Sequence, residues 1–395
     1  MSETQAPGYP LVKVLVVIGQ LEIGGAEKHL ARVLPAIAQA GVDVSVFVLR
    51  GGGPLEGGLR AAGVRVISPA AGRQGPRGLL IGTWLLARHA WSARPAVVHF
   101  FLPAAYLLGA LATLGLPARR VMSRRSLAVY QGRYPGVGLI ERVLHRRMDA
   151  VLGNSRAVTR ELHREGVPGE RLGLVYNGVA LPGVAADRVV VRARLGIPEN
   201  SLAIVCVANL IPYKGHRDLL TALESVRDRL PANWTLLLVG RDDGIGAELR
   251  AQADRAGLGP HVSFVGSVPD VADYLAAADI GVLASYEEGF SNAVLEGMAA
   301  GLPMVVTDVG GNAEAVVDGD CGRVVPARAP EALAAALLEL ATSAELRARF
   351  GERARARVQQ RFSEQRCVQL YLDLYSNLAR GIDPAIPLDA VFDGR

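Results

Sequence analysis

Cysteine is scarce in this chain of 395 residues. The three present, Cys206, Cys321 and Cys367, are odd in number and far apart, which excludes a disulfide framework or a Cys-x-x-Cys pair and fits a reducing compartment. Aromatic residues make up only 5%, and no stacking pattern or recognition motif accompanies the basic residues, so nucleic acid is not expected as a partner. No basic segment in MSETQAPGYP leads into a signal-type apolar core, and Lys13 interrupts the first apolar run, 11–18; a cytoplasmic protein is expected. His-Glu-x-x-His and clustered Cys/His patterns are missing, so no cofactor and no essential metal are expected. Only one stretch, 96–116, is apolar over about the ~20 residues of a membrane span. It contains His99 and Pro103, and a doubly buried strand followed by a helix starting at the proline accounts for both.

What is present is a chain that folds. Half the residues are apolar, and the 45 glycines and 22 prolines separate hydrophobic segments instead of forming tracts. The length suggests two domains of similar size. Charge is divided unevenly: residues 1–185 hold 22 Lys+Arg against 10 Asp+Glu, a net of +12, whereas the remainder has a net of −7. Between Arg119 and Arg147 lies an arginine cluster that includes Arg124, Arg125, Arg133, Arg142 and Arg146, opposed chiefly by Glu141 and Asp149. It predicts an anionic partner, either a phosphate-bearing acceptor or the negative face of a membrane.

Strand and helix signals alternate throughout. Strands are expected at 12–18, 42–49, 64–67, 97–101 and 150–152, and again at 203–208, 235–239, 262–265, 280–283 and 304–307. Leu30, Val33, Leu34 and Ile37 form a helical stripe in the first half, and Leu219, Leu223, Val226 and Leu230 form another in a helix expected to begin at Lys214. Alternating units of this kind build parallel sheets covered by helices. Pro182, Gly183, Gly196 and Pro198 mark a linker within 181–200, so the fold class is α/β, two Rossmann-like doubly wound domains, 1–182 and 183–362, facing across a cleft. A helix at about 363–380 carries the stripe Cys367, Leu370, Tyr371, Leu374, Tyr375 and Leu378, and must pack on something.

The most informative segment is 285–314. Glu288 and Glu296 are separated by seven residues, and Gly289, Phe290, Ser291 and Asn292 lead from a strand into a helix whose free N–H groups suit a phosphate. Two catalytic carboxylates of a hydrolase would sit roughly 5 to 9.5 Å apart. Eight helical steps separate this pair by about 12 Å, which disfavours that chemistry. Gly24 and Gly25 follow the first strand and open the first helix, allowing a ligand close to the backbone. No Gly-x-Gly-x-x-Gly follows that strand, which counts against a dinucleotide dehydrogenase. Asp318-Gly319-Asp320 superficially matches a metal motif, but its setting reads as a turn.

With Glu288 and Glu296 spaced in this way, the turn Gly301-Leu302-Pro303 and the Gly-Gly segment ending in Glu314, the chain resembles glycosyltransferase family 4, the group-1 retaining transferases of GT-B fold. The resemblance runs from Gly24-Gly25-Ala26-Glu27 to the last helix, which in such enzymes returns to the first domain. It implies a hexosyl-type transfer from a nucleotide sugar, expected to be UDP-linked, to a glycan or lipid-linked acceptor of cell-surface polysaccharide synthesis. Peripheral contact with the inner face of the membrane is expected separately, from the arginine cluster between Arg119 and Arg147. Glu288, Lys214 and His99 take the catalytic roles, while Gly24, Gly25, Asn209, Lys214, Glu288, Gly289, Phe290, Ser291, Asn292 and Glu296 form the donor site. Arg124, Arg125, Arg142 and Arg146 meet the acceptor or membrane. Two positions depart from the family pattern: Asn209 stands where an arginine is usual, and Phe101 where many relatives have a second histidine. A nucleotide-sugar epimerase and a catalytically weak nucleotide-sugar-binding partner of a transferase are the alternatives.

Overall fold

The computed structural model describes residues 12–69, 75–128, 131, 132, 134, 136–181 and 187–382. The N-terminal segment, Arg133, Pro182, Gly183 and the residues beyond Ile382 lie outside the described residues. Two compact units form: residues up to Gly178 together with those from Glu364 onward, and Val179–Ser363. The division thus falls slightly before the boundary at 182 expected from the sequence.

The first unit is built on seven parallel strands: β1 (Lys13–Ile18), β2 (Asp43–Val48), β3 (Arg65–Ile67), β4 (Val97–Phe101), β5 (Arg119–Arg124), β6 (Ala150–Gly153) and β7 (Leu172–Leu174). They lie in the order β3-β2-β1-β4-β5-β6-β7. Continuous apolar runs such as KVLVVI suit strands buried on both faces, and Val16 sits in register between Val46 and His99. Helix α1 (Gly25–Gln39) buries the expected stripe of Leu30, Val33, Leu34 and Ile37 on one face of this sheet. The other face is covered by α2 (Gly75–Ala93), α3 (Pro103–Ala112) and α4 (Val137–His145), through residues such as Leu86, Tyr106 and Leu144. The apolar stretch at 96–116 is therefore strand β4 followed by α3, with Pro103 at the first helical position.

The second unit has six parallel strands: β8 (Leu202–Val207), β9 (Trp234–Val239), β10 (Val262–Gly266), β11 (Ile280–Leu283), β12 (Met304–Thr307) and β13 (Gly322–Val325), in the order β10-β9-β8-β11-β12-β13. Helices α5 (His216–Val226) and α6 (Asn292–Ala299) follow β8 and β11. Lys214 does not open α5, as the sequence suggested. It ends a single 3-10 turn, Pro212–Lys214, and Gly215 in the left-handed conformation separates it from the helix. The chain then returns to the first unit as α7 (Glu364–Ala379), which lies along α1 and buries Cys367, Tyr371, Leu374, Tyr375 and Leu378.

Candidate functional site

In the second sheet the strand order reverses between β8 and β11, the position where an open α/β sheet leaves room for a ligand beyond its carboxyl ends. Three loops meet there, following β8, β11 and β12. Gly215, at a φ of 70°, packs so closely on the end of β11 that a Cβ would collide with the carbonyl of Ala284. Tyr286 N–H donates to the carbonyl of Tyr213 (2.7 Å), locking the first loop to the second. Gly310, at a φ of 54°, lets the third loop press against the carbonyl of Glu288, and Gly311 N–H donates to that of Gly289 (2.9 Å).

This packing brings together two residues that are 74 positions apart. Lys214 Nζ donates to Glu288 Oε1 at 2.6 Å, and Ser285 Oγ donates to the same oxygen at 2.7 Å. Burial pulls the pKa of Lys214 down, but the charge and hydrogen bond of Glu288 outweigh it and leave the pKa above its ordinary value. The ammonium is therefore held fully charged in a largely desolvated position, the state required of a group that meets an anion. His216, one residue past Gly215, was not singled out from the sequence. Burial, followed by the charge of Lys214, lowers its pKa to about 4, so it stays neutral.

Helix α6 begins four residues after Glu288. Ser291 caps it, its Oγ accepting from Val294 N–H (3.4 Å), so the hydroxyl serves the helix as well as the loop. Asn292 and Glu296 are four residues apart, on one partly exposed face, while Val294, Leu295 and Met298 are buried. Phe290 departs from expectation: its buried ring packs on Phe362, 5.3 Å between centroids, so it anchors the loop and offers only backbone to a ligand. Asn209 is partly committed, since its Oδ1 accepts from Arg241 N–H (3.2 Å). Asp318 and Asp320 belong to a turn at Gly319, where Asp318 Oδ1 accepts from Val324 N–H (3.0 Å) and Arg353 pairs with Asp320 (2.5 Å).

The expected residues of the first unit behave differently. His99 is central in β4, not at its end, and is wholly buried. Its Nδ1 pairs with Tyr375 OH (2.8 Å) and its Nε2 with Ser123 Oγ (2.7 Å). Burial, and then the charge of Arg125, hold its pKa well below the ordinary value, so it is a neutral core histidine and its catalytic assignment is corrected. Gly24 is the N-cap of α1 with Gly25 the first helical residue, but the space over Gly24 is filled by the carboxylate of Glu27, which would repel an anion at this helix end.

The arginine cluster also divides. Arg124 is buried between two carboxylates, Nη2 to Glu141 Oε2 at 2.9 Å and Nη1 to Glu165 Oε1 at 2.5 Å, which removes it from any surface role. Arg125 donates to Asn177 Oδ1 and, at 3.4 Å, to Tyr371 OH. Arg142 and Arg146 are exposed as expected. Among the described residues no group of three or more His, Cys, Asp or Glu is arranged to hold a metal ion.

Residues 187–357 match the family model of glycosyl transferases group 1, and residues 23–181 match that of glycosyltransferase family 4. A D-inositol 3-phosphate glycosyltransferase of Streptomyces avermitilis is 32% identical over 241 residues, covering 58% of this chain and 52% of the relative. An N-acetyl-alpha-D-glucosaminyl L-malate synthase of Bacillus anthracis is 28% identical over 233 residues, covering 59% of this chain and 60% of the relative. The chain thus spans about half the length of the curated relatives it matches. Among solved structures, Anabaena Alr3699/HepE in complex with UDP superposes with a TM-score of 0.78 at 23% identity, covering 91% of this chain and 98% of that one. WaaG, a glycosyltransferase involved in lipopolysaccharide biosynthesis, superposes with a TM-score of 0.70 at 21% identity, covering 96% of this chain and 100% of that one. The two parallel-sheet units are those of the GT-B fold.

Proposed function

Because the chain belongs to the family 4, group 1 glycosyl transferases, we propose that it moves a sugar, with retention, from a UDP-linked donor to an acceptor hydroxyl. The observation that carries this reading is the Lys214–Glu288 pair just before the N-terminus of α6. The donor diphosphate binds against the first amides of α6 and accepts from the Lys214 ammonium, which already points a desolvated charge at that loop. Glu288, released from part of its bond to Lys214, accepts from a sugar hydroxyl, and Glu296 accepts from the two ribose hydroxyls. The bond from C1 to the diphosphate breaks, the acceptor oxygen bonds C1 on the same face, and its proton passes to a phosphate oxygen of the leaving group. No protein nucleophile takes part. The protein positions both partners and stabilises the charge that grows on the diphosphate.

The first unit takes the acceptor, a glycan or lipid-linked precursor of cell-surface polysaccharide handled on the cytoplasmic side. With Glu27 at the start of α1, the Gly24-Gly25 turn suits hydroxyl groups better than a phosphate. The commitment of Asn209 to Arg241, where the family usually places an arginine, supports the rival reading of a weak nucleotide-sugar-binding partner. A panel of nucleotide sugars read by thermal shift, followed by UDP release in the presence of acceptors, decides: turnover establishes the enzyme, and tight donor binding without turnover across acceptors establishes the binding protein.

Two outcomes follow for the donor site. Glu296→Ala lowers UDP affinity about 10- to 100-fold in calorimetry, since a charged hydrogen bond contributes roughly 1.5 to 3 kcal/mol. Unchanged affinity in the folded variant removes Glu296 from the ribose. The reaction also proceeds without a divalent cation, because Lys214 and the start of α6 meet the leaving diphosphate. Activity lost on exhaustive chelation and restored only by magnesium or manganese contradicts this.

A further inference from the structure

Helices α2, α3 and α4 cover one face of the first sheet, and α3 packs against both of its neighbours. On α2 the sheet side is the row Gly78, Gly82, Leu86 and Ala90, spaced by four. The row turned away from it is apolar and aromatic: Leu80 is 68% exposed, Trp84 61% and Trp91 50%. Arg88, on the same outward row, stands over the ring of Trp84 at 6.0 Å. The neighbours continue the pattern with Leu111 at the end of α3 and with Leu139 (68%) and Val143 (57%) on α4, beside the exposed Arg142 and Arg146. Large apolar side chains exposed on three adjacent helices mark this side of the unit as an interaction surface.

Charge identifies the partner. Residues 57–148, which span all three helices, contain 14 arginines, no lysine and one acidic residue, Glu141. That single carboxylate is buried against Arg124, so it presents no carboxylate to the surface. We propose that the outer face of α2, α3 and α4 lies on an anionic lipid bilayer, with Leu80, Trp84, Trp91, Leu139 and Val143 entering the headgroup–acyl boundary and Arg88, Arg142 and Arg146 meeting lipid phosphates. Tryptophan is suited to that boundary, because its ring is apolar and its N–H remains near water. No helix among the described residues is long and apolar enough to cross a membrane, so the contact is a helix face lying in the interface. The surface differs from the one expected from sequence: Arg124 is withdrawn into the core, and the aromatic row of α2 becomes its principal apolar part.

This inference concerns the first unit alone and is independent of the transferase reading. The test uses the full chain with vesicles of phosphatidylcholine, with and without one-third phosphatidylglycerol. Trp84 and Trp91 are two of the three tryptophans, and the third, Trp234, is buried in β9, so a blue shift of emission and quenching by brominated acyl chains report insertion of this face directly. Co-sedimentation with anionic vesicles, accompanied by that shift and weakened by salt, is expected. Trp84→Gln with Trp91→Gln should reduce partitioning by about tenfold or more. Should that variant fold poorly, Arg142→Glu with Arg146→Glu and the quenching of the unaltered chain carry the same test. Equal binding to neutral vesicles, sedimentation without a blue shift, or a concentration-dependent dimer that ignores lipid overturns the proposal.

Discussion

Lys214→Ala should reduce turnover about 10²- to 10³-fold while donor affinity changes far less, because the negative charge opposite its ammonium is greatest when the sugar–diphosphate bond has nearly broken. The side chain is well placed for this. It is partly buried, held at 2.6 Å from Glu288, and kept protonated by that neighbour. Alanine leaves Glu288 with Ser285 as its hydrogen-bond partner, so Lys214→Ala combined with Glu288→Gln is the informative second variant. Relieving the unpaired carboxylate should restore stability without restoring turnover. Steady-state kinetics with saturating acceptor separate the effects, and losses of equal size in turnover and donor affinity would move Lys214 from the leaving group to ground-state binding.

The largest expected effect on stability lies in the first unit. Arg124 joins Glu141 and Glu165, Gln131 Nε2 donates to Glu141 Oε2 (2.7 Å), and His145 Nε2 contacts Glu165 Oε2 (3.2 Å). Arg124→Ala leaves two buried carboxylates without their cation and should cost about 3–5 kcal/mol, visible as a lowered unfolding midpoint. Burial alone would raise the pKa of Glu165, yet hydrogen bonds from His145 and Arg124 bring it down to about 2. A folded pKa below the unfolded value of 4.5 stabilises the protein above that value, and the contribution is lost as pH falls from there through about 2. Thermal unfolding across that window should show a steep acid dependence that flattens in Arg124→Ala. An equal slope in both proteins would assign the dependence to other carboxylates.

Legibility followed how local each signal was. Strands β4, β11 and β12 stand as read from the sequence, because VVHFF, IGVL and MVVT are uninterrupted apolar runs between turns. Strand β5 does not show in the sequence, since RRVMSR has arginines at both ends and only two apolar residues, and β7 (LGL) and β13 (GRVV) likewise offer only two apolar residues each. Segment 285–314 was readable because strand end, loop and helix start are contiguous. The pairing of Lys214 with Glu288 was not, because it depends on Gly215 seating one loop against Ala284. His99 misled for a related reason: its two partners, Ser123 and Tyr375, come from β5 and α7, and nothing near it in the chain reveals that both ring nitrogens are already used. The number of arginines is plain in the sequence, but which of them face water depends on Glu165, 41 residues beyond Arg124.

The place of α7 has a consequence for how the protein is made. Tyr371 and Tyr375 reach His29 on α1 and His99 on β4, so the first sheet's α1 side lacks part of its covering until residues after Ser363 have been synthesised. The second unit, Val179–Ser363, emerges from the ribosome whole and can close before the first is complete. A stop codon after Ser363 would therefore spare the later-made unit and cripple the one made first.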